Sequence, residues 1–451
     1  MRTAAARTVA ADVRAAGVSF GRPEVVLGIA ALTTVVVGLS ELPLVWDGSN
    51  FLFAALNEQT PLLIFHRTVE SLLTAPVVAA SFLTSDVRIL RKIFSLSYAA
   101  VPTMALVLSW IVVRRTRPDL LIWPMLGIGL ALLPGRGLSI AESLIVAQLS
   151  WPLFLAAIVS VERRIFVACL VVGAVVAVSH PSALVFLPIV GVIGWVERLR
   201  SGSVARSFGW LVAFFALASL NFALLSSRLD PYEVTVAQPI VVAYQLLAGA
   251  FGPQLSGLQL TALTALLVYR AGRDPTQAHR MYARAMVTAG LAVMPFLIWA
   301  ALPQMWRDII EYRAWAIPAT LPLFAVAWLD ARRADPLHET HVASRMTISA
   351  VVAAVMFVVL LAQGVTWVGL VARVERAVTS RAGCVPAESI EGFADTALGS
   401  WALVPLSLLV QGREVHAFVT FGFLCESARW PKEVPMMVNL PSLRPQWFRF
   451  E

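Results

Sequence analysis

Asp47 stands in ELPLVWDGSNFLFAAL, directly after the first apolar run, between Trp46 and Gly48. Trp46 suits a membrane–water boundary, and Gly48 allows the chain to turn sharply. A carboxylate at such a boundary is partly desolvated and can accept a proton from a hydroxyl, the work of a general base. The position equally suits an N-cap for a helix beginning near Asn50. Glu41, earlier in the same segment, lies nearer the hydrocarbon and is a weaker second candidate.

Other polar residues gather at comparable places. Arg136 and Glu142 flank the turn in PGRGLSIAESLIVAQLSWP, where Ser139 and Glu142 also fit a capping box. His180 in VSHPSALVF marks the next turn on that side, as a ligand or as a cap ahead of the helix that Pro181 starts. Arg307, Tyr312 and Arg313 lead into the apolar run of WRDIIEYRAWAIPATLPLF, where an arginine can also snorkel to lipid phosphate simply to anchor a helix. In LLIFHRTVESLL, helical spacing puts Glu70 beside both His66 and Arg67, as a working group or a surface pair. Singly, each residue has an ordinary structural reading. Together they set acids (Asp47, Glu142) and phosphate-binding groups (Arg67, Arg136, His180, Arg313) at one membrane face. Transfer from a lipid-phosphate donor needs that set: a base for the acceptor hydroxyl and cations for the departing phosphate. Phosphate-loop, dinucleotide, HExxH and nucleophile-elbow motifs are missing. His338 and His341 in HETH have a metal-like spacing, but a polar loop without further ligands reads as solvated.

The elements that must hold these residues follow from composition. The chain has 451 residues, 59% hydrophobic and 14% charged, with a mean hydropathy of +0.78. A soluble domain is roughly 45–50% apolar and 25% charged, so a cytosolic enzyme, a disordered chain and a disulfide miniprotein are excluded. The net charge of +8 would suit nucleic acid only as a basic stripe on a soluble face. Here the basic residues, all arginine except Lys92 and Lys432, fall in short clusters between apolar runs. That arginine bias fits a GC-rich bacterial source.

The expected fold is an all-α polytopic membrane protein of about 11 transmembrane helices (range 9–13), since a span needs ~20 apolar residues. Candidate spans cover 25–45, 94–113, 119–134, 143–160, 165–179, 183–196, 207–226, 257–269, 285–303, 315–330 and 346–370. The fifth and sixth could be one helix broken at Pro181. Arginines in the short connections place the N-terminus in the cytoplasm, behind an uncleaved signal-anchor, and the C-terminus outside. The first outer loop, 46–93, holds LLIFHRTVESLL and DVRILRKIF as interfacial amphipathic helices. A second outer segment, 227–256, re-enters or lies along the interface. A transmembrane domain thus spans 1–370, and a small extracytoplasmic α/β domain spans 371–451. In that domain HAFVTFGFL and VNLPSLRPQWFRFE read as strands, and SWALVPLSLLV as a helix or buried strand. Cys384 and Cys425 fall together on the oxidising side, where a disulfide is expected, with two free thiols as the alternative.

The order of these parts resembles the GT-C superfamily of polyprenyl-phosphate-sugar-dependent glycosyltransferases, of the protein O-mannosyltransferase and aminoarabinose-transferase kind. Asp47 falls at the acidic position that opens the family's first outer loop. RILRKIFSLSYAAVPTMALVLSWIVVRR is similar to the pattern leading into the family's next span, and EYRAWAIPATLPLF to its late segment of the type ERYLLPALPLL. The resemblance covers roughly 20–371 as an arrangement. It implies an inverting transferase of the bacterial inner (plasma) membrane. Asp47 would be the catalytic base, and Glu142 would position the acceptor or a divalent cation. His66, Arg67, Arg136, His180, Tyr312 and Arg313 would bind substrate. The partners implied are a lipid-linked sugar donor, a lipid, glycan or protein acceptor, and membrane lipids, with no nucleic acid. Departures from the family are Gly48 where a second acid is common, the swapped order of Tyr312 and Arg313, and histidine in place of an expected lysine. Two other classes fit the composition: a transporter or flippase of a lipid-linked substrate, and a catalytically inactive membrane scaffold.

Overall fold

The computed structural model describes residues 22–45, 47–63, 68–132, 142–159, 161–226, 309–332, 339–391, 400–420, 425 and 447–450. Within them 81% of residues are helical. The helices are α1 (Pro23–Leu39), α2 (Asp47–Glu58), α3 (Thr68–Ser81), α4 (Val87–Val113), α5 (Ile122–Leu132), α6 (Glu142–Ile158), α7 (Arg163–Ala177), α8 (Ala183–Arg200), α9 (Val204–Ser226), α10 (Ile309–Ala331), α11 (Glu339–Thr379) and α12 (Ser400–Leu409). Among the described residues three stretches are long and apolar enough to cross a membrane: Val87–Val113, Val204–Leu224 and Arg345–Thr379. Predicted spans 257–269 and 285–303, and the segment 227–256, lie outside the described residues.

Local chemistry sets several boundaries. Pro23 occupies the first turn of α1, where its missing N–H costs nothing. Asp86 caps α4 by accepting from the Arg88 backbone N–H at 2.9 Å. From there the helix runs unbroken to Val113, so DVRILRKIF is the start of the long helix and not a separate interfacial one. The residues of α7 and α8 form two helices joined through a turn at Val178–Ser182.

Antiparallel packing gives the bundle two ends. Thr103 on α4 donates to the Ala30 carbonyl at 3.0 Å, while Gly38 meets Leu96 closer to the other end. One end, the head, gathers Glu41, α2, α3, the 178–182 turn and the last turns of α11, where Arg88 pairs with Glu375 at 2.7 Å. The other end carries Arg114, Arg115, Arg117, Arg163, Arg198, Arg200 and Arg332. Every residue of α6 from Glu142 to Ile158 is buried, which makes it the central helix, as an all-round apolar sequence requires. Trp151 and Phe154 of α6 pack on Phe324 of α10, with centroids 4.6 and 4.0 Å away. Leu32, Val35, Met104, Ile111, Val171, Phe215, Phe222 and Val365 are exposed around the outside.

At the arginine end a buried ion cluster ties three segments. Arg345 on α11 donates to Asp330 at 2.6 and 2.9 Å and to Asp119 at 2.7 Å. Arg117 holds Asp119 through two contacts of 3.0 Å, and Trp123 donates to Asp330 at 2.9 Å. Close by, Arg198 caps the end of α6 by donating to the carbonyls of Ala156, Ala157 and Val159.

α11 continues to Thr379, past the boundary expected at 371. Beyond it come β1 (Gly383–Pro386), α12, β2 (Glu414–Val415), β3 (Ala417–Thr420) and β4 (Arg449–Phe450). The pairs β1–β3 and β2–β4 are both parallel, and SWALVPLSLLV is helical over most of its length. Cys384 and Cys425 are joined by a disulfide with a Cα–Cα distance of 5.5 Å. This region does not stand apart from the bundle. α12 packs on α2, and Phe448 stacks on Phe53 with centroids 4.7 Å apart.

Candidate functional site

The head end is organised by a polar stripe on α4. Arg91, Ser95 and Tyr98 are four and three residues apart, which puts them on one helical face. All three are buried.

Tyr98 donates its phenol hydrogen to a carboxylate oxygen of Glu70. Glu70 sits on α3 and is wholly buried. Its helix is fixed by polar contacts: the Leu62 N–H donates to Thr74 Oγ1 at 2.9 Å, and Ser71 Oγ donates to the Leu62 carbonyl at 2.8 Å. The Thr68 N–H reaches the Val178 carbonyl at 3.0 Å and so ties α3 to the turn that carries His180. Glu142, the first residue of α6, acts electrostatically on the same Tyr98 hydroxyl. The site therefore brings one buried carboxylate, Glu70, onto the phenol, with the buried Glu142 near enough to act on it electrostatically.

Arg91 faces Glu41, with Nε 3.0 Å from Oε2. The contact is an ion pair of poor hydrogen-bond alignment, and neither Nε nor Nη1 of Arg91 makes a hydrogen bond. Glu41 has left-handed backbone angles, φ 60° and ψ 23°, which a side chain with a Cβ adopts only at a cost. Its carbonyl accepts from the Leu44 N–H at 3.0 Å and closes the short turn that leads to α2. Burial raises the Glu41 pKa above the ordinary carboxylate value, while Arg91 and Lys92 partly offset the rise.

Asp47 is the first residue of α2 and is half-buried. The helix begins three residues before the Asn50 expected from sequence, so Asp47 lies inside the first turn. A carboxylate is favoured there by the helix dipole. His180 shapes the start of α8: its Nδ1 accepts from the Ser182 N–H at 3.1 Å and lies 3.0 Å from Ser182 Oγ. Asn221 on α9 donates to the His180 carbonyl at 3.3 Å. Tyr312 and Arg313 are on the first turns of α10, and because Asp330 ends that helix at the arginine end, they lie toward the head.

Asp47, Glu142, His180, Tyr312 and Arg313 thus share one end of the bundle. His66, Arg67, Arg136, Ser139 and His338 lie outside the described residues. Among the described residues no three histidine, cysteine or carboxylate side chains come together as a metal-holding set. Sequence reasoning gave no role to Arg91, Ser95 or Tyr98. The signal was there, as polar residues at helical spacing in an apolar run, but Arg91 was absorbed into an interfacial helix. No family model, curated protein or solved structure matches this chain.

Proposed function

We propose that the chain is an inverting membrane glycosyltransferase that moves a sugar from a polyprenyl-phosphate donor to an acceptor hydroxyl at the outer membrane face. The reading rests on one observation: Asp47, at the start of α2, shares the head of the bundle with buried Glu70, Tyr98 and Glu142. In this scheme the arginine end is cytoplasmic, in keeping with the bias of Lys and Arg toward that side.

Asp47 takes the acceptor proton as the acceptor oxygen attacks the sugar's anomeric carbon. The bond from that carbon to the donor phosphate breaks, the lipid phosphate leaves with the electron pair, and the anomeric configuration inverts. Arg313 and His180 neutralise the departing phosphate. Glu142 positions the acceptor.

The test is transfer of labelled sugar from a polyprenyl-phosphate donor by purified full-length protein, comparing wild type with Asp47→Asn and Asp47→Ala. Both variants are expected to fold and to lose transfer. Turnover retained in Asp47→Asn would remove Asp47 from the role of base. Donor transport without transfer by the wild type would favour a flippase.

A further inference from the structure

The head of α4 contains donors that the protein itself does not use. Arg91 is 4% exposed, and its Nη1 has no hydrogen-bond partner. Among the described residues its charged contact is Glu41, whose Oε2 lies 3.0 Å from Nε. One turn along the same face, Ser95 is 0% exposed and its Oγ is also unpartnered. Native proteins rarely leave such groups unsatisfied inside, and two of them one turn apart on a single helix face suit a bound water or ion.

The local charge says what kind of partner. Around Glu41 stand Arg88, Arg91 and Lys92 against one further carboxylate, Glu375. Arg88 is itself paired with Glu375 at 2.7 Å and also faces Asp86, so what is left over for a further partner is the unspent donors of buried Arg91. Glu41 is held there in a left-handed backbone conformation, a form of strain that collects at functional positions. A guanidinium with one edge on a carboxylate and the other unspent is suited to a second oxyanion, and a hydroxyl one turn away adds a neutral donor.

We propose that Arg91 and Ser95 hold a phosphoryl oxygen at the head of α4, with Glu41 as a competing internal anion that occupies part of the same guanidinium. The phosphoryl group is either the headgroup of a membrane lipid or free phosphate. The site is a binding site in its own right and does not depend on Asp47 acting as a base.

The experiment uses full-length protein in a maltoside detergent, which carries no phosphate. Thermal unfolding is followed while inorganic phosphate, or phosphatidic acid in mixed micelles, is titrated in at constant ionic strength set with chloride. Stabilisation by both identifies a site for phosphate itself, and stabilisation by phosphatidic acid alone identifies a lipid headgroup site. Arg91→Gln is expected to abolish the shift, and Ser95→Ala to weaken the apparent affinity several-fold. Glu41→Gln is expected to tighten it several-fold, an effect that a merely structural ion pair would not produce. The proposal fails if neither probe shifts the wild type, or if Arg91→Gln and Ser95→Ala respond as the wild type does. It also fails if Glu41→Gln leaves the affinity unchanged. Should Arg91→Gln not fold, the Ser95→Ala and Glu41→Gln titrations decide the matter alone. Because only binding is read, a negative result leaves the transferase reading standing, and a positive one does not establish it.

Discussion

Tyr98 on α4 donates to Glu70 on α3, and the pair joins the shorter helix to the wall of the bundle through one buried hydrogen bond. Tyr98→Phe keeps the ring and removes the donor. The loss of a hydrogen bond to a buried carboxylate is expected to cost about 1–3 kcal/mol, read as a lower unfolding temperature in detergent. Glu70→Gln retains an acceptor and should cost less. Equal stability of wild type and Tyr98→Phe would show that the bond contributes nothing net.

The Arg345–Asp330–Asp119 cluster gives a larger effect. Arg345→Ala leaves Asp330 buried opposite an empty space, and breaking a buried pair from one side costs about 3–5 kcal/mol. Arg345→Lys should recover only part of this, because an ammonium cannot reproduce contacts to two carboxylates in the fixed fork of a guanidinium. The check is the order of unfolding temperatures: wild type, Lys, Ala.

Gly127 lies against Trp151, and a Cβ built on it would come within 2.4 Å of the indole Nε1. Gly127→Ala must therefore push α5 away from the central helix, at a cost of about 1–3 kcal/mol. Gly28 on α1 has open space at the same position, so Gly28→Ala is expected to be neutral or to stabilise by about 0.4–1 kcal/mol. Opposite signs for two Gly→Ala changes in helices would confirm that the close approach matters.

Glu41 has a raised pKa, so the folded protein holds its proton to higher pH than the unfolded chain does. Stability then falls as pH rises from the ordinary glutamate value through the raised one, and this contribution is fully present only below that window. In a pH series of unfolding temperatures, Glu41→Gln should flatten that fall. A steeper profile in the variant would contradict the assignment.

Sequence showed much of the helical framework and less of the site. The stretches around 25–45, 119–134 and 183–196 are apolar enough to mark helices by themselves. Locally, DVRILRKIF reads as an interfacial helix ahead of a span at 94–113, whereas Arg91 points inward to Glu41, a partner on another segment that no spacing rule connects to it. Arg345 likewise meets Asp330 near the end of α10 and Asp119, 226 residues earlier in the turn before α5. Local pattern reports a helix face. It does not report which distant acid will meet it. The Asp47 helix was also misplaced by three residues, since a carboxylate is as favourable inside a first turn as ahead of it.

The stacking of Phe448 on Phe53 has a bearing on how the molecule is made. α2 is synthesised early, yet nearly all of its side chains are buried, and much of what covers them, α12 and residues 447–448, leaves the ribosome hundreds of residues later. Until then α2 has no complete shell. The packing around α2 is therefore completed only once the last residues of the chain have been made.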